Sequence, residues 1–206
     1  MEFIAFDLET TGFMPRMSQI VEIAAVKFNN EKVVDQFSTL INPGQPIPPE
    51  ATRVHGITDE MVARSPKIEE VLEGFATFCG EMVMVAHNAP FDTEFLKADI
   101  ERFEAPAPRG LILDTCAMAR KVVPGAPNYR LGTLVSHLGF AQDGAYHRAE
   151  ADSRYCGLLF AHMLGRVFKS GEPVVIENLI NLSGGQGVKF PQVKRNFKQL
   201  DLFAEL

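Results

Sequence analysis

The chain has 206 residues, 46% of them hydrophobic and 22% charged, with a formal net charge of −6. That length supports one domain with a full hydrophobic core, and the balance is that of an ordinary soluble globular protein. The negative sum argues against a protein that holds nucleic acid by bulk electrostatics alone, although carboxylates that bind metal ions also count as negative in it. No apolar run approaches a membrane span, and Met1-Glu2 lacks the basic and then apolar character of a signal peptide, so a cytoplasmic protein is expected. Cys79, Cys116 and Cys156 are widely spaced and odd in number, which reads as buried free thiols and not as a disulfide framework or zinc site.

Taken in order, Phe3-Ile4-Ala5-Phe6 runs straight into Asp7-Leu8-Glu9 and is closed by Thr10-Thr11-Gly12. This predicts a strand buried on both faces, and alternation puts Asp7 and Glu9 on the same side. Gln19 to Phe28 and Lys32 to Ile41 predict two further strands joined by a turn at Asn29-Asn30-Glu31, so the first three strands form an antiparallel meander. The proline-rich stretch Asn42 to Pro49 breaks the pattern, and Glu50 to Arg64 carries short helical pieces around His55, with Thr58 or Asp59 as N-cap.

Ser65-Pro66 opens a helix with Ile68, Val71, Leu72, Phe75 and Phe78 at helical spacing. Met82 to Ala86 predicts a fourth strand, followed by His87-Asn88-Ala89-Pro90-Phe91-Asp92 and a helix to about Phe103. Leu111 to Leu113 is a fifth strand ending at Asp114, then come helices over Thr115–Val122 and Leu131–Leu138, and a long one from near Arg148 to Phe168. The order predicts an α/β domain with a mixed five-stranded sheet flanked by helices, its first strand central and open at its C-terminal end.

Two acids at the end of a core strand repel each other and lose hydration, and they stay ionised most easily with a cation between them. Asp92 at the start of a helix joins them, as do His147 and Asp152, which lie five apart in His147-Arg148-Ala149-Glu150-Ala151-Asp152. Four carboxylates suit hard cations such as magnesium or manganese, and two such ions stabilise both oxygens of a phosphoryl displacement. Singly, each residue also reads as ordinary: Asp92 as a first-turn helix acid, His147 as a surface histidine, and Asp152, Glu150, Glu94 and Asp99 as solvated helix charges. Asp114 reads as a strand-end or N-cap acid.

Together, Phe6-Asp7-Leu8-Glu9-Thr10-Thr11-Gly12, His87-Asn88-Ala89-Pro90-Phe91-Asp92 and His147 to Asp152 resemble the three exonuclease motifs of the DEDD family, in its DEDDh branch. Ile41-Asn42-Pro43-Gly44 and Val54-His55-Gly56-Ile57-Thr58 resemble the proofreading group, the epsilon-like exonucleases of bacterial replicative polymerases. The resemblance implies a ribonuclease H-like fold over residues 1–168 and 3′→5′ hydrolysis of DNA ends with release of nucleoside 5′-monophosphates. It further implies that Asp7 bridges two divalent cations, that Glu9 and Asp152 hold the one activating water, and that Asp92 supports the second. His147 would be the general base. Thr10, Thr11 and Gly12 would receive the terminal nucleotide, Asn88 and Phe91 would shape the facing wall, and His55 would stack near the unpaired end.

Residues 169–206 read as a flexible basic tail, with Ser183-Gly184-Gly185-Gln186-Gly187 and then Lys189, Lys194, Arg195 and Lys198. Gln199-Leu200-Asp201-Leu202-Phe203 resembles the short peptide by which bacterial polymerases and repair proteins dock on the sliding clamp. The expected partners are therefore a frayed 3′ end of DNA, the clamp and a DNA polymerase, with no membrane. The rival readings are an RNA-trimming exonuclease like ribonuclease T or oligoribonuclease, and a non-catalytic adaptor for clamp or polymerase.

Overall fold

The first strand, β1 (Glu2–Thr10), sends its side chains to two different cores. Ile4, Phe6 and Leu8 enter one apolar cluster, while Phe3 and Ala5 enter another on the opposite face. This is a computed structural model, and it describes residues 1–141, 147–169, 171–185 and 187–192. Over these residues β1 is followed by β2 (Ile20–Asn29), β3 (Lys32–Leu40), α1 (Pro49–His55), α2 (Asp59–Val62), α3 (Ile68–Cys79), β4 (Met84–Ala86) and α4 (Ala89–Arg102). Then come β5 (Ile112–Asp114), α5 (Thr115–Val122), α6 (Leu131–His137), α7 (Ala149–Val167) and α8 (Ile176–Leu182).

The sheet order is β3-β2-β1-β4-β5. The β1–β2 and β2–β3 pairs are antiparallel, whereas β4 and β5 run parallel to β1. The mixed five-stranded sheet with a meander of three strands and a central first strand is thus as expected, and the fold is ribonuclease H-like. One face is covered by α3 and α4, where Phe75 meets Phe6 edge-on at 6.3 Å. The other is covered by α5, α6, α7 and α8. A small third cluster of Val21, Ile47, Ile57 and Val62 seats the α1–α2 segment beside β2.

On that second face α7 comes close to the sheet. Phe3 stacks on Phe28 at 5.0 Å and meets Phe160 of α7 edge-on at 4.8 Å. Gly157 lies where a Cβ would come within 2.1 Å of the Phe28 ring, so only a residue without a side chain lets the helix descend this far. Ser153, one turn earlier, donates to the Ala149 carbonyl of its own helix at 2.6 Å, with the Ala24 carbonyl of β2 3.3 Å away.

Three expectations need correction. The fourth strand is only Met84–Ala86, because Met82 N–H is taken by a turn to the Cys79 carbonyl. The stretch beyond residue 168 is not all tail: α8 buries Leu179, Val188 bridges to Ile112, and Phe190 is buried in the core. Gly187 in the glycine run makes a close approach, since a Cβ there would sit 2.6 Å from Leu111. Finally, Asp99 is buried on α4 and not solvated, and burial raises its pKa to about 6. Asp114 does cap α5, accepting the Cys116 N–H at 2.8 Å.

Substituting Gly157→Ala should drive a methyl into the Phe28 ring and lower stability by about 1–3 kcal/mol, the range for overpacking a core. Thermal denaturation would register this as a fall of about 2–4 °C per kcal/mol for a chain of this size. An unchanged midpoint would show that α7 does not depend on this close approach.

Candidate metal-binding active site

Alternation places Asp7 and Glu9 on the face of β1 that α7 covers, continuing the line of Phe3 and Ala5 beyond the apolar packing. On its other edge β1 pairs with β4 only at Ile4–Met84 and Ala5–Val85. The Ile4 N–H donates to Val83, so N–H groups of even-numbered residues point toward β4, and that of Leu8 projects past the strand's end. Asp92, in the first turn of α4, accepts this Leu8 N–H at 3.1 Å and is 2% exposed. A sheet edge left open by a short strand is thereby closed by a carboxylate held against the back of the site.

Asp152 reaches the same place from α7. One carboxylate oxygen each from Asp7, Glu9 and Asp152 lie within 4.8 Å of one another, all three partly exposed. Asp92 is not a member of this trio, but its charge is the largest electrostatic influence on Asp7. His147, immediately before α7, is exposed and left-handed at φ 61°, a conformation that costs a non-glycine residue about 1–3 kcal/mol and clusters at functional sites. Its imidazole and backbone N–H both act on Asp152.

The electrostatics follow from burial and like charge. Asp7 is raised well above the usual carboxylate range, first by burial, then by Asp92, Glu9 and Asp152. Burial and Asp152 raise Glu9 to about 8. Burial raises Asp92 to about 8 although the Leu8 N–H pulls the other way, and raises Asp152 to about 6 against the opposing pull of His147. Three oxygen donors this close, in a setting where burial and neighbouring acids oppose ionisation, fit a hard divalent cation, which would replace the missing counter-charge.

Beside the carboxylates lies a cleft of about 320 Å³ lined by Leu8, Glu9, Thr10, Thr11, Gly12 and Phe13 on one side and by Glu50, Ala51, Val54, His55 and Phe91 on the other. Five of the six residues expected to bind substrate line it, and Asn88 does not. Asn88 instead turns the chain into α4 at φ 68°, its N–H held by Asp114 at 3.0 Å. The Thr10 and Thr11 hydroxyls are used internally, on the Gly12 carbonyl at 2.6 Å and by the Gln19 N–H at 2.9 Å, which stiffens the loop. His55 is buried, its Nδ1 accepting the Ile57 N–H at 3.0 Å, and burial lowers its pKa. The five residues Gln199 to Phe203 lie outside the described residues.

Sequence reasoning missed Glu22 and Arg148. Glu22 is 2% exposed on β2 and forms an ion pair with Arg148 at 2.7 Å. The signal was present as a single acid inside the apolar run Ile20-Val21-Glu22-Ile23-Ala24.

Residues 4–160 match the model of the exonuclease family RNase_T. The chain is 41% identical over 164 residues to the DNA polymerase III subunit epsilon of Treponema pallidum, covering 79% of this chain and 76% of that protein. It is 38% identical over 176 residues to the PolC-type DNA polymerase III of Caldanaerobacter subterraneus, covering 85% of this chain but only 12% of that much longer protein. Among solved structures, exonuclease X in complex with 5′-overhanging duplex DNA superposes with a TM-score of 0.69 at 31% identity, covering 88% of this chain and 99% of that one.

Carboxylates with raised folded-state pKa values contribute stability that is complete below their unfolded values near about 4 and is lost as pH rises. In a chelator, stability should therefore fall as pH climbs through the Asp152 value of about 6 and the Glu9 and Asp92 values of about 8. Divalent cation binds the ionised form, so its addition should raise the melting temperature more at pH 8 than at pH 5. Equal shifts at both pH values would argue that the cation binds elsewhere.

Proposed function

Because this chain belongs to the exonuclease family and is a 3′→5′ exonuclease, we propose that it edits DNA 3′ ends in the manner of an epsilon-type proofreading subunit, using two divalent cations. The observation that carries this reading is the convergence of Asp7, Glu9 and Asp152, with Asp92 fixed behind Asp7. Magnesium or manganese held there would neutralise the carboxylates and stabilise the attacking and leaving oxygens of the displacement. Asp7 is the central ligand, Glu9 and Asp152 complete one cation site, and Asp92 supports the other while its oxygen is engaged by the Leu8 N–H.

His147 is the proposed general base, exposed at the mouth of the site and able to take a proton from the attacking water on its imidazole. The terminal nucleotide lies in the cleft on the backbone of Thr10, Thr11 and Gly12, facing His55 and Phe91. A cleft of this size suits a single frayed end, and a mismatched end frays at less cost than a paired one. DNA is favoured over RNA because the epsilon and PolC-type relatives are DNA polymerase III proteins. A polymerase partner and a cytoplasmic location accord with that reading, as do three free cysteines. Among the described residues no helix is long and apolar enough to cross a membrane.

The proposed delivery to the primer end is through Gln199, Leu200, Asp201, Leu202 and Phe203 as a sliding-clamp peptide. A peptide tethered in this way raises local concentration at the primer end without touching the active site.

With magnesium, Asp7→Ala should fold normally and lose nuclease activity, and His147→Ala should slow turnover by about 10²–10⁴-fold. Digestion of matched single-stranded DNA and RNA oligonucleotides measures both variants and the substrate preference together, and faster RNA degradation would overturn the proofreading reading. Deleting Gln199 to Leu206 should abolish binding to the sliding clamp in a direct affinity measurement while leaving digestion of free oligonucleotides unchanged.

A further inference from the structure

Glu22 is the register partner of Glu9 across the antiparallel β1–β2 pair. Two carboxylates therefore face each other on the side of the sheet that α7 covers, an arrangement that is unfavourable unless one is compensated. Arg148 compensates Glu22: its Nη2 donates to Oε1 at 2.7 Å, and its Nε is shared between Oε1 at 3.2 Å and Oε2 at 3.1 Å. Oε2 also accepts the Ala149 N–H at 2.9 Å.

Ala149 is the first residue of α7, and the opening N–H groups of a helix have no partner within it. Arg148 itself occupies the N-cap position with extended backbone and makes no side-chain cap. Glu22 thus serves as the cap from a strand 127 residues earlier, and its charge suits the positive end of the helix dipole. The braced segment joins His147, left-handed at φ 61°, to Asp152, whose N–H closes the first turn on the Arg148 carbonyl at 3.0 Å.

We infer that Glu22 and Arg148 are positioning residues for the reaction: their half-buried pair holds His147 and the first turn of α7 so that Asp152 meets Asp7 and Glu9. The pair has a second consequence. With its guanidinium engaged by Glu22, Arg148 does not close on Glu9, and the Glu9 carboxylate stays available to a cation. An ion pair whose arginine is half open to solvent adds little net stability, and its two-pronged geometry is better suited to fixing position. This inference rests on the roles proposed above for His147 and Asp152.

The test compares the full chain with Glu22→Gln, Arg148→Lys, Arg148→Ala and the double variant Glu22→Gln/Arg148→Ala. The readouts are kcat and KM on single-stranded DNA with magnesium, and amide hydrogen exchange of the metal-free protein across residues 147–156. Arg148→Ala should lower kcat by about 10–100-fold with KM held within about twofold, the range for groups that orient ligands from behind. Arg148→Lys keeps the charge but loses the two-pronged geometry, so it should fold securely and still lose kcat. The double variant should be no slower than Arg148→Ala, and exchange should quicken in the first turn of α7 while the β1–β2 pair stays protected.

Wild-type kcat in Arg148→Lys and Arg148→Ala with unchanged exchange would overturn the inference. So would losses that multiply in the double variant, or a lowered melting temperature with kcat intact. Asp7→Ala, run alongside, separates the two levels: if it digests DNA like the wild type, the metal-site reading itself fails. If it is inactive while the Glu22 and Arg148 variants are normal, only the positioning role is lost.

Discussion

Five carboxylates crowd one end of this sheet, and their mutual repulsion is the constraint that the rest of the structure accommodates. Asp7, Glu9 and Asp152 meet within 4.8 Å, Asp92 stands behind them, and Glu22 faces Glu9 across the strand pair. Each arises from a different circumstance of the backbone. Asp7 and Glu9 follow from alternation along β1, Asp152 from the descent of α7, Asp92 from the unpaired Leu8 N–H, and Glu22 from the need to cap α7. Only Glu22 finds its cation within the described chain, in Arg148. The remainder carry raised pKa values, which is the electrostatic signature of a site built for ions that the protein does not itself supply.

Such a site persists because apolar packing elsewhere on the same two elements holds them together. Along β1 the α7-facing side changes from Phe3 and Ala5 to Asp7 and Glu9, and along α7 the sheet-facing side changes from Phe160 and Cys156 to Asp152. The stack of Phe3, Phe28 and Phe160 with the bare backbone at Gly157 sets the helix against the sheet at the apolar end. The acids at the other end are then carried into contact by rigid elements, a geometry that loops would hold less well. The opposite face of the sheet packs a large apolar cluster under α3 and α4. The cleft lies at the carboxyl end of the central strand, where open α/β sheets collect ligands.

Much of this was legible in the primary structure. The run Phe3-Ile4-Ala5-Phe6 reads as a buried strand, and the period of two after it put Asp7 and Glu9 on one side without any tertiary knowledge. The helical spacing of Ile68, Val71, Leu72 and Phe75, all buried, was equally plain. What escaped were features with no local period. Glu22 sits within an apolar strand, and nothing in its neighbours indicates that a helix 127 residues later will need its carboxylate. Helix α8 was hidden because a short amphipathic stretch among glycines looks like a linker until Leu179 is seen to be buried in the cluster under α7. Asn88 also has a backbone task that its sequence context did not show, a left-handed turn into α4 whose N–H is held by Asp114.

The sequence by itself determined the elements, the faces they bury and the residue types that chemistry at this site requires, because those depend on backbone periods of two and 3.6 and on side-chain charge. The tertiary structure alone decided the distances between acids drawn from three separate elements, and the length at which β4 stops and leaves the Leu8 N–H to Asp92. It also decided that Arg148 would serve Glu22 and leave Glu9 free. The physical reason is that each of these depends on contacts between segments 80 or more residues apart (84 for Leu8 and Asp92, 126 for Glu22 and Arg148), which no local pattern encodes.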